Sequence, residues 1–114
     1  MIPDEIRRKR DELAVVACDH VNWCDDKGLA GENMPGAGPG GDLNPFGWYV
    51  IGTTGGGNGI VVRVDDPGVY FADHEWDADN TAEGVRRALV PLAPSIEEFL
   101  ESLDAITERL DEIG

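Results

Sequence analysis

The chain has 114 residues, 41% of them apolar and 28% charged, the composition of one globular domain with a core large enough to fold without disulfide staples. Nine Lys and Arg stand against 23 Asp and Glu, a formal charge of −14, which argues against nucleic acid or an anionic membrane as partner and for a basic one. No apolar run is long enough to span a bilayer and no leader pattern opens the chain, so a cytoplasmic location is expected.

From Pro3 to about Asp26, Ile2, Ile6, Leu13, Val16, Ala17 and His20 recur at helical spacing, with Pro and two acids in the first turn. This predicts an N-terminal helix over 1–26, whose basic run Arg7 to Arg10 is neutralised by Asp4, Glu5, Asp11 and Glu12. Residues 27–45 are rich in Gly and Pro and predict a surface loop. Gly36, Gly38 and Gly41 satisfy G-x-G-x-x-G there, but no strand precedes them and no helix follows, so the dinucleotide fingerprint fails.

Three runs then predict antiparallel strands within 46–72: Phe46 to Gly52, Gly59 to Val64 and Gly68 to Ala72. The connections are too short for the crossover that parallel strands need. Gly52 and Gly57 have the spacing of a phosphate loop, yet Asn58, Gly59 and a strand follow where Lys, a hydroxyl and a helix are required. These glycines are expected to turn a hairpin. An acidic loop with one short helical turn leads to a C-terminal helix over 94–113, opened by the capping box Ser95 and Glu98. The expected fold class is α+β, an antiparallel β-meander packed against N-terminal and C-terminal helices in a single domain, 1–114.

The richest polar cluster is Asp73, His74, Glu75, Asp77 and Asp79. Asp77, Asp79 and Thr81 start like a calcium loop, but Ala82 and Ala88 occupy the places of its Gly and bidentate Glu. His74 has no second His at ligand spacing, and His20 with Cys24 supplies only two ligands. Cys18 and Cys24 do not form a C-x-x-C pair and are expected to be free thiols. No catalytic residue, metal or cofactor is therefore expected, the alternative being a metal hydrolase built on Asp73, His74 and Glu75. Trp48 reads as core and Trp76 as a candidate interface anchor.

Taken together, Ile51 and Gly52, Gly56 and Gly57, Val69 to Phe71, Asp73 to Glu75 and Ser95 to Leu100 resemble, in order and spacing, the SUKH superfamily of Smi and Knr relatives. The likeness runs from Phe46 to Leu103; the first half lacks the family's Leu-Pro and Asn-Gly-Gly segments, and Asn58 stands where Asp often follows the glycines. The resemblance implies helices around an antiparallel sheet, no catalysis, and a role as an immunity protein that neutralises a bacterial toxin, or as an interaction module. An acidic inhibitor suits a basic toxin such as a nuclease, whose site grips phosphates. Asp73, Glu75, Trp76, Asp77 and Asp79 are the candidate contacts. The alternative function is a regulatory adaptor that docks a cellular partner without inhibiting it.

Overall fold

A computed structural model describes residues 2–16, 20–36, 40–54, 57–73 and 81–113. In chain order they form α1 (Asp4–Leu13), β1 (Val21–Trp23), α2 (Asp26–Glu32), α3 (Gly40–Leu43), a 3-10 turn (Asn44–Phe46), β2 (Trp48–Thr54), β3 (Gly59–Arg63), β4 (Asp66–Ala72), α4 (Ala82–Ala88), β5 (Val90–Ala93), α5 (Ile96–Glu101) and α6 (Leu103–Ile113). The fold is α+β: the strands form one antiparallel sheet in the order β1-β2-β3-β4-β5. The expected meander is its centre. Gly57, at φ 85°, turns β2 into β3, and the Thr54 N–H closes the loop on the Asn58 carbonyl at 3.0 Å.

The N-terminal helix expected over 1–26 stops at Leu13. Val15 and Val16 follow, β-branched and poor at continuing a helix, and His20 takes a left-handed φ of 74° before Val21 enters the sheet. β1 then lies antiparallel to β2, Trp23 opposite Gly52. A Cβ on Gly52 would stand 2.9 Å from the Trp23 ring and 3.1 Å from Val21, so glycine is what lets β1 approach.

The expected loop over 27–45 also holds structure. Asp25 caps α2 by accepting the Gly28 N–H at 2.6 Å, and Leu29 is buried. At the far end, β5 adds an edge strand despite Pro91, and the expected helix over 94–113 is two helices that meet at Ser102. Ser95 does cap the first of these, its Oγ accepting the Glu98 N–H at 3.1 Å.

Both faces of the sheet are covered, which explains why β3 reads as a continuous apolar run. On one face Ile51, Ile60, Val62, Val69 and Phe71 pack with Ile6 and Leu13 of α1, Phe99 of α5, and Ile106 and Leu110 of α6. On the other, Trp48, Val50, Val61 and Ala72 pack with Leu43 of α3, Val85 of α4 and Leu89. No helix of the described residues is long and apolar enough to cross a membrane.

Candidate partner-binding surface

Of the five residues expected to contact a partner, Asp73 is exposed immediately after β4. Glu75, Trp76, Asp77 and Asp79 lie outside the described residues, as does His74. Thr81, third in the calcium-loop-like start, serves as the N-cap of α4: its Oγ1 accepts the Gly84 N–H at 3.0 Å. Among the described residues no three His, Cys, Asp or Glu side chains are grouped to hold a metal ion.

The cations of α1 are engaged within the fold. Arg8 bonds Glu5 and, at 2.8 Å, Glu12, while Arg7 donates to the Ile2 carbonyl at 2.9 Å. Arg10, only 9% exposed, donates to the Cys24 carbonyl at 2.8 Å, to Asp26 at 2.7 Å and to Asp11 at 2.6 Å. Its hydrogen bond and charge hold the Asp26 carboxyl below the usual range. Lys9, 5% exposed, ties α1 to the hairpin between β3 and β4 by donating to the carbonyls of Arg63, at 2.5 Å, and Asp66, at 2.7 Å. Burial lowers its pKa.

Asp66 gathers the other side of that hairpin. Its carboxylate accepts from the Gly68 N–H at 2.8 Å, from Arg86 of α4 at 2.9 Å and from the Tyr70 hydroxyl at 3.1 Å. Burial pushes the Asp66 pKa up, but these donors outweigh it and hold the carboxyl below its ordinary value. The Arg86 and Arg63 guanidinium carbons lie 5.4 and 5.9 Å from the Trp48 ring centre, and Tyr70 meets that ring edge-on at 4.9 Å. The array fastens α4 to the sheet.

The carboxylates of α5 and α6 are placed differently. Residues 96–113 hold seven of them, Glu97, Glu98, Glu101, Asp104, Glu108, Asp111 and Glu112, against Arg109 alone. All seven are exposed, because Phe99, Ile106 and Leu110 turn the apolar side of both helices to the sheet. Among the described residues only Asp111 of the seven lies within ion-pair distance of a basic side chain, 3.8 Å from His20 Nε2, a contact that is an ion pair only with the imidazole protonated. The helix expected over 94–113 rests on the Ser95 cap; its acidic outer face was signalled by the ratio of acids to bases in the same stretch.

Chemically, the arrangement offers a dense negative field over α5 and α6. Cys24 is buried, and burial pushes its thiol up to about 11. No family model matches the chain, and no curated protein or solved structure matches it.

Proposed function

We propose that the chain is a non-catalytic protein-binding domain that neutralises a basic partner, most concretely an immunity protein of the SUKH type acting on a toxin such as a nuclease. One observation carries the reading: six of the seven exposed carboxylates of α5 and α6 have no ion pair among the described residues, while the α1 cations are engaged within the fold. A protein of net charge −14 attracts a basic surface over a distance set by the Debye length, about 8 Å at physiological salt. An enzyme that grips phosphates presents such a surface, and an acidic protein seated on it displaces the substrate.

The test is affinity capture with the full chain from lysates that contain the products of neighbouring genes, at low and high salt, followed by an activity assay of what is retained. A basic partner, released by salt and inhibited when bound, is the expected result. A partner whose activity is unchanged on binding makes the chain an adaptor instead.

A further inference from the structure

Beside this acidic surface there is a more local feature: we propose that the two clefts lined in part by Trp23 seat an arginine or lysine side chain of the basic partner, an inference that rests on the proposed function. β1, which carries Trp23, is an edge of the sheet. The indole is held in place before any ligand arrives: Nε1 donates to the Val16 carbonyl at 3.2 Å, the ring meets Phe99 edge-on at 6.0 Å, and the bare Gly52 backbone lies against it. A fixed aromatic side chain costs little entropy on binding and its face attracts cations.

Two open clefts, of about 400 and 270 Å³, share Trp23, Cys24 and Asp25 as lining. The first adds Asp11 and Asp26 to Asp25, with Arg10 as its single cation, already engaged by both of those added acids. The second holds Asp25 and Glu32 and no cation. An aromatic side chain and several carboxylates in one lining suit a guanidinium or ammonium group with its alkyl stem. They do not suit an anion.

The test titrates the full nitrogen-15-labelled chain with a hexa-arginine peptide and follows the indole and amide resonances, the Trp23 indole being assigned by its loss in Trp23→Phe. Saturable shifts of that indole and of the amides from Cys24 to Gly28 are expected. Asp25→Asn with Glu32→Gln is expected to weaken the peptide about tenfold, and Asn keeps the cap on α2, so the fold is preserved. Shifts confined to α5 and α6, or an affinity unchanged in the double variant, overturn the cleft. The peptide reads the cleft whatever the natural partner is. Cleft binding without toxin neutralisation overturns the immunity reading alone, and neutralisation that survives the double variant with silent cleft resonances overturns the cleft alone.

Discussion

Asn33 holds both backbone groups of Val50: its Nδ2 donates to the Val50 carbonyl at 2.9 Å and its Oδ1 accepts the Val50 N–H at 2.8 Å. The side chain thus continues the pairing of β2 where β1 has ended, just past the Cys24 N–H to Ile51 carbonyl bond at 2.9 Å. The same amide donates to the Leu29 carbonyl at 2.8 Å and so locks α2 against the sheet.

Asn33→Ala takes the side-chain partner from three backbone groups, the Val50 N–H and carbonyl and the Leu29 carbonyl, and a buried group left unpaired costs about 1–3 kcal/mol. A loss of about 3 kcal/mol in urea unfolding is expected, with the slope unchanged. A loss below about 0.5 kcal/mol would show that water replaces the amide freely.

Two glycines are expected to answer alanine with opposite signs. At Gly52 the added methyl meets the Trp23 ring at 2.9 Å and must displace β1, a cost of about 1–3 kcal/mol. At Gly31, in α2, nothing lies within 4 Å, and alanine is expected to stabilise by about 0.5–1 kcal/mol. Thermal midpoints of the two variants, read by tryptophan emission, decide both.

Asp66 should govern acid stability. Its folded pKa lies below that of an unfolded aspartate, about 3.9, so as acid is added the unfolded chain takes up the proton first. The stabilisation is whole above that value and disappears as the pH falls through the lower folded value. Asp66→Asn is expected to be about 2 kcal/mol less stable at pH 7, and the gap between variant and wild type to narrow below about pH 4. A gap that stays constant from pH 7 to pH 3 contradicts the assignment.

Cys24 reports on opening of the core. In a Cys18→Ser chain the remaining thiol, pushed up to about 11 by burial, is expected to resist iodoacetamide at pH 7 and to react promptly in urea. Prompt alkylation without denaturant would mean that the segment joining β1 to α2 opens readily.

The strands β2, β3 and β4 were legible because β-branched and aromatic residues alternate with turn residues, and the Ser95 cap because its chemistry is local. β1 and β5 were not. Three residues after a helical period, and four containing Pro91, carry too little pattern, and both are edge strands specified by what they pair with. The break at Ser102 was hidden because Leu100, Leu103 and Ile106 keep helical spacing straight across it. Of the expected contact surface, the acidic balance and its concentration in residues 96–113 were legible; that these carboxylates all face outward follows from which side of the two helices meets the sheet, a tertiary fact.

In the proposed function the exposed carboxylates of α5 and α6 draw in and block a basic toxin. The most direct test is survival of cells that express the toxic product of a gene neighbouring that of the chain, with the chain supplied intact or as Glu97→Gln, Glu101→Gln, Asp104→Asn and Glu108→Gln combined. All four positions are exposed, so the fold is expected to persist. Rescue by the intact chain that fails in the neutralised variant is the predicted result. Rescue equal in both, or none from the intact chain, would contradict it.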